Sequence, residues 1–477
     1  MRRIESVLLT TGVLALTIFM IPNALRAATI NVTTTADEAN VANGRCSLRE
    51  AIESANQNTA IGGCVAIGTF GNDVINVPAG TYSLTILGKG EDNAATGDLD
   101  IRSSLDIEGV GAATTIIQWD PTVADNDRER IFDIFDDDRP NVVRIANVTI
   151  QNGAVENVSG TGMEGAGLFN TGTTTLFRVV VTHNRAEMDG GGIMNDGEFG
   201  DSAVLTVIDS TIAQNMAGAF NALTDGGGGI YNKGGGTLTL ERSTVSDNSA
   251  PILGGGIFND GTGGSTITII NSTISGNHSG SNGGGIFNTN SGTVNLQSVT
   301  VANNEAGVAG SSVGIGGGVR NNSGTVNFRN TILGDNIDHP SSPGTDAPDC
   351  SGTLVSQGYN LVENTAGCTF TINNDKTGID PQLGPLADNG GPTQTQALLP
   401  GSPAIDMANP APPGSGGDAC EKIDQRYVHR PQGPICDIGA FEFVVAAPSP
   451  TLSMSVLMLT AILLAVGGNV LLRRRAA

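Results

Sequence analysis

A short glycine-rich motif that returns along the middle of the chain limits what this sequence can fold into. It reads GAGLFN ending at Asn170, GGGIMN at Asn195, GGGIYN at Asn232, GGGIFN at Asn259 and Asn288, and GGGVRN at Asn321. A second motif alternates with it: THN at Asn184, STIAQN at Asn215, STVSDN at Asn248, STISGN at Asn277, TVANN at Asn304 and TILGDN at Asn336. One unit is therefore roughly thirty residues with slack in the loops, the signature of a stacked repeat.

Within a unit, apolar residues alternate. Ile267, Ile269 and Ile274 repeat as Leu205, Val207 and Ile212, as Leu238, Leu240 and Val245, as Val294, Leu296 and Val301, and as Val326, Phe328 and Ile332. A period of two is strand. Each unit offers three short strands, in GGGI, TxTL and STIS, and cannot bury its apolar face alone. Stacking buries a continuous aliphatic column, so the fold class expected is all-β, a right-handed parallel β-helix. Glycine supplies the turns, and the recurrent Asn tolerates left-handed backbone and can stack into amide ladders. The glycine runs lack the Lys and Ser/Thr of a phosphate loop. A short-period calcium roll would place Asp where these turns carry Ile and Asn.

The organisation expected is 1–27 signal peptide, 28–69 N-terminal cap, 70–348 repeats, 349–443 C-terminal coils and cap, and 444–477 linker and tail. Arg2 and Arg3 precede an apolar run that closes on small residues, as in an export signal. At the other end an apolar run from Thr451 to Leu472, long enough to cross a bilayer, stops at Arg473, Arg474 and Arg475. The order Pro448, Ser449, Pro450, Thr451, Leu452, apolar helix, arginines resembles the sorting tails of the PEP-CTERM and IPTL-CTERM kind. That resemblance implies an envelope sorting protease as partner, a membrane-inserted tail before processing, and display at or release from a Gram-negative cell surface.

RCSLREAIESAN, from Arg45, carries a capping box at Ser47 and Glu50, with Leu48, Ala51, Ile52 and Ala55 on one face. This helix is expected to cover the open end of the solenoid. CSLREAI is similar to the CSLREA motif near the start of bacterial β-helical surface proteins. Six cysteines fall in neighbouring pairs, Cys46 with Cys64, Cys350 with Cys368, and Cys420 with Cys436, and neighbour pairing is the simplest connectivity for an exported chain. GPTQTQALLPGSPAID, DQR and CDIGAFE in 391–442 resemble the choice-of-anchor Q domain. Asp406, Asp424, Arg426, Arg430, Asp437 and Glu442 are expected to form a paired-charge lock over the last coil.

A net charge of −23 argues against nucleic acid as a partner. The function expected is a non-enzymatic, envelope-anchored surface protein, an adhesin or matrix component. The repeats also resemble the GGxI and FxxN motifs of polymorphic membrane proteins, and the pectin-lyase-like fold implies the alternative of a polysaccharide lyase or hydrolase. For that alternative the candidates are Asp136, Asp138 and Arg139, or His183 with Asp189; GHG and RIK strings are absent. The acidic run of Asp133, Asp136, Asp137 and Asp138 offers carboxylates of the kind Ca²⁺ takes, although a charge run on a loop is commonly just solvated. With Ile257 and Asn259 inward, the residue between them faces out. In register that places Phe169, Met194, Tyr231, Phe258, Phe287 and Arg320 in one stripe, suited to a glycan or another surface protein unless loops fold over it.

Overall fold

In the computed structural model the described residues are 27–445, except 136–140, 157–162, 199–202, 219–225, 308–312, 341–345 and 372. The expected export signal before residue 27, and the tail with Pro450, Thr451, Leu452, Arg473, Arg474 and Arg475, lie outside them. Among the described residues no helix is long and apolar enough to cross a membrane.

Three sheets, parallel apart from the antiparallel edge pair of Ala66–Ile67 with Ala27–Asn31, wind together into a β-helix, with twelve, eleven and ten strands among the described residues. One coil shows the rule. Ile257–Asp260 lies in the ten-stranded sheet, here called the front sheet; Thr266–Ile270 lies in the twelve-stranded sheet, and Thr273–Ser275 in the eleven-stranded one. Each pairs in register with the same strand of the next coil, Ile257 with Ile286, Ile267 with Val294 and Ile274 with Val301. These inward side chains are wholly buried in one aliphatic column, each contributing about 1.5–3 kcal/mol. A fourth, small sheet was not expected. It forms where Ser249–Ala250, His278–Ser279, Glu305–Ala306 and Ile337–Asp338 stay extended after the second motif's Asn.

Both Asn series are ladders. In the second motif, the backbone N–H and the Nδ2 of each Asn donate to the Oδ1 of the next, from Asn184 through Asn215, Asn248, Asn277 and Asn304 to Asn336. The links are 2.9–3.1 Å long and join residues 27 to 33 apart. In the front sheet, Nδ2 of Asn170, Asn195, Asn232, Asn259 and Asn288 donates to the next Asn, ending at Asn321. The ladders explain the glycines. Gly254 has φ +58°, and a Cβ on Gly256 would lie 2.7 Å from Gly285 O and 3.0 Å from Asn277 Nδ2.

The helix Leu48–Gln57 is capped as expected, Ser47 Oγ accepting from Glu50 N while the Glu50 carboxylate accepts from Ser47 N. Leu48, Ala51, Ile52 and Ala55 join the aliphatic core, and Asn56 ties the helix to Asp100 O and Arg102 N. All three neighbouring cysteine pairs are disulfides.

The C-terminal segment departs from expectation. After the last coils the chain makes a hairpin of Leu383–Ala387 and Thr395–Leu398. It then runs back along the outer face of the eleven-stranded sheet instead of sitting over the end. Ala440 N donates to Thr300, Gln425 bonds Thr273 and Thr244, and Tyr427 reaches Asp209. The charge lock forms within this strap, with Arg430 to Glu442 at 3.1 Å and Arg426 to Asp424 at 2.7 Å. Cys420–Cys436 therefore staples the strap and not an end of the solenoid. The reason is chemical complementarity: the threonines of the STxS motif present a file of hydroxyls to which the strap's Gln425 and backbone are matched.

Neighbouring asparagines give a direct test of the ladder. Asn304 is fully buried, while Asn303 beside it is an exposed left-handed turn residue at φ 59°. Asn304→Ala should cost on the order of 3 kcal/mol by orphaning several buried groups, and Asn303→Ala about 1 kcal/mol of backbone strain, read as shifts in urea denaturation.

Candidate functional site

The residue between Ile and Asn of each front-sheet strand does point away from the column, but it is not exposed. Register runs Asp100, Asp133, Phe169, Met194, Tyr231, Phe258, Phe287, Arg320 and Ser351. Phe169, Met194, Tyr231, Phe258 and Phe287 form their own buried cluster, at 0–9% exposure, with Leu253 packed on it. The stripe expected to meet a partner is thus a covered second core. The cause is the glycine turn, whose chain crosses over the rings: a Cβ on Gly226 would lie 2.2 Å from the Phe258 ring. Tyr231 and Phe258 stand 4.5 Å apart, and Phe258 meets Phe287 edge-on at 5.1 Å.

At its N-terminal end the same file turns acidic. Leu99–Ile101 and Phe132–Ile134 place Asp100 and Asp133 where later coils carry rings, and Asp98 shares the face of Asp100 two residues on. Carboxylate oxygens of Asp98, Asp100 and Asp133 lie within 4.8 Å of one another, all buried. Arg130 pairs with Asp133, comes within 3.9 Å of Asp98, and sits 4.9 Å from the Phe169 ring. Burial pushes the Asp98 carboxyl well above the usual range, as does the Asp100 charge. Burial and then Asp133 raise Asp100 to about 8. Burial also raises Asp133, against the pull of Arg130. Of the available metals, this oxygen-only donor set fits a hard cation.

Two residues further along the front strands, Asp196 pairs in register with Lys233. Lys233 Nζ lies 3.2 Å from Asp196 and 3.6 Å from both Glu164 and Glu198. Burial draws its ammonium pKa down, but Glu164 and Asp196 outweigh that and leave it raised. Tyr231 donates to Asp260 at 3.4 Å, and burial holds its phenol above the ordinary range.

The sequence candidates fare unevenly. Asp136, Asp138 and Arg139 lie outside the described residues. His183 is an exposed turn residue at φ 56°, in the position held by Gln214, Asp247, Asn303 and Asp335 in later coils, and its Nδ1 meets Thr182. Asp189 accepts from Gly226 N at 3.0 Å and so fastens a turn. The structure therefore assigns both members of that pair to turns. Asp133 was singled out in the sequence, whereas Asp98 and Asp100 were missed. Their signal is the likeness of LDI and FDI to LFN, IMN and IYN, with Asp in the place of the ring.

No known protein family matches the chain, and no curated relative matches it. Two solved structures are similar. The pectate lyase Pel9A is 14% identical, over 87% of this chain and 97% of that one, at a TM-score of 0.47. A rice weevil pectin methyl esterase is 10% identical, over 72% of this chain and 90% of that one, at a TM-score of 0.25. Neither likeness bears on chemistry, which has to come from the side chains.

The pH dependence follows from Asp100. Its pKa rises from about 3.9 unfolded to about 8 folded. The stability it contributes is complete below pH ~4 and is lost as pH climbs through ~8. In metal-free buffer, Asp100→Asn should therefore melt above the parent at pH 8.5, with the gap narrowing toward pH 4 in thermal scans.

Proposed function

We propose that this chain is an exported, non-enzymatic surface protein: a rigid β-helical body held to the cell envelope through its C-terminal tail, serving adhesion or the extracellular matrix. The observation that carries this is the strap. The segment leading into the tail is fastened along the solenoid's flank by Arg430 and Glu442, by Arg426 and Asp424, by Gln425 in the threonine file, and by Cys420–Cys436. A pull on the tail is then shared among several coils and does not peel the last one. Three disulfides support an oxidising, extracellular or periplasmic compartment. Glycans or another surface protein remain the partners suited to such a body, and a sorting protease the partner suited to the tail.

One observation favours the alternative of a polysaccharide lyase or hydrolase: carboxylates, Arg130 and Lys233 gather along one face of the front sheet. Fold likeness adds nothing to it. Turnover of acidic polysaccharides by the purified protein, lost in Lys233→Ala, would establish the enzyme.

For the surface reading, replacing Arg473, Arg474 and Arg475 with Ser should alter processing or retention in cell fractionation. The thermal transition of the β-helical body should stay where it was. Normal retention of that variant would refute the sorting role.

A further inference from the structure

The acidic end of the front file carries an inference independent of how the body is displayed. Oxygens of Asp98, Asp100 and Asp133 lie within 4.8 Å of one another. Oxygens bound to one calcium ion, each about 2.4 Å from it, can stand no farther apart than about 4.8 Å, so all three residues can reach one ion. Asp100 Oδ1 and Asp133 Oδ1 are buried with no hydrogen-bond partner, in residues only 1% and 3% exposed. Such orphans cost a fold heavily unless something positive meets them.

The cluster is also dense in acid. Glu129 joins the three aspartates in the interior, its Oε2 only 2.1 Å from where a Cβ on Gly97 would stand. The guanidinium of Arg130 is the cation paired with this group at Asp133 and Asp98. Arg102 also acts on Asp133 and Lys89 on Glu129; a divalent ion would add positive charge at the heart of the cluster, where the orphaned oxygens of Asp100 and Asp133 lie.

We propose that Asp98, Asp100 and Asp133 form a Ca²⁺ site that fastens the N-terminal cap to the first coils. The segment entering the site is already gripped from its other side: Arg49, on the capping helix, donates to Ala94 O, Gly97 O and Asp98 O and pairs with Asp37 at 2.7 Å. Ala94 N donates to Asp100 Oδ2, closing the loop onto the cluster. An ion at the three aspartates joins that loop to the strand Phe132–Ile134 of the next coil. The site thus completes a clamp of which Arg49 is the inner half.

The test is a calcium titration of the purified protein, followed by thermal unfolding and by calorimetry. At pH 7.5, after chelation, added Ca²⁺ should raise the Tm by roughly 5 °C at a hundredfold excess over its dissociation constant, with one saturating site. Asp100→Asn and Asp133→Asn should abolish the shift. Asp100→Asn should still fold in chelator, because it removes a buried charge, so loss of the shift is not loss of the fold. Asp335→Asn serves as control, since Asp335, Glu363 and Asp380 form a second, more exposed acidic group; it should leave the shift intact. A parent Tm indifferent to Ca²⁺ would overturn the proposal and assign neutralisation to protons. A shift that survives Asp100→Asn or vanishes in Asp335→Asn would overturn it as well.

Discussion

The side-chain amide of asparagine is the interaction on which this solenoid depends. At each coil one Oδ1 accepts two donors from the coil before, a backbone N–H and an Nδ2, as Asn277 does from Asn248 at 3.1 and 3.0 Å. That double acceptance fixes register at one point per coil regardless of how many residues the loops contain. Intervals of 27 to 33 residues therefore produce aligned strands. The same contact dictates the glycines, because the chain opposite the ladder passes too close for a Cβ. Two of the most frequent residue types in the motif are thus consequences of one hydrogen-bond geometry.

The outward faces of the sheets are used as fully as the inward ones. On the front sheet, aromatic rings fill one file and are roofed by the glycine turns, so the body has a second apolar layer outside its aliphatic column. On the eleven-stranded sheet a threonine file receives the C-terminal strap. The alternation of a strand settles which way a side chain points, but not what lies above it. Expecting Tyr231, Phe258 and Phe287 to be exposed failed on that distinction, since their direction was right and their covering was not.

Legibility in the sequence followed locality. The β-helix and both ladders rest on contacts between units of nearly equal period, and the capping helix and the three disulfide pairs on residues close in sequence, so all could be read from spacing. The strap's path could not. Gln425 meets Thr244 across 181 residues, in a segment with no repeat of its own. The charge lock was visible as a set of residues, whereas the surface it lies on was not. At the candidate site, Asp133 stood out within an acidic run, but its partners Asp98 and Asp100 emerge only when LDI is aligned with motifs that carry an aromatic ring. A departure from the repeat at one register position was the available signal.

The ladders also have a direction. From rung to rung each amide donates to the Oδ1 of the coil on its C-terminal side, so the last rung has a donor left over. The second-motif ladder finishes on an aspartate, Asn336 Nδ2 on Asp349 Oδ1 at 2.9 Å, and the front-sheet ladder finishes at Asn321, whose Nδ2 donates to the backbone carbonyls of Gly324 and Thr353. An ionised carboxylate or a backbone carbonyl takes up such a donor and offers none onward. A terminal asparagine with its Nδ2 unoccupied would have presented the next rung to any passing strand, and a stack of identical rungs is the geometry from which fibres grow. Ending on an acceptor makes the column finite, a polymer of coils whose growing end is chemically stopped.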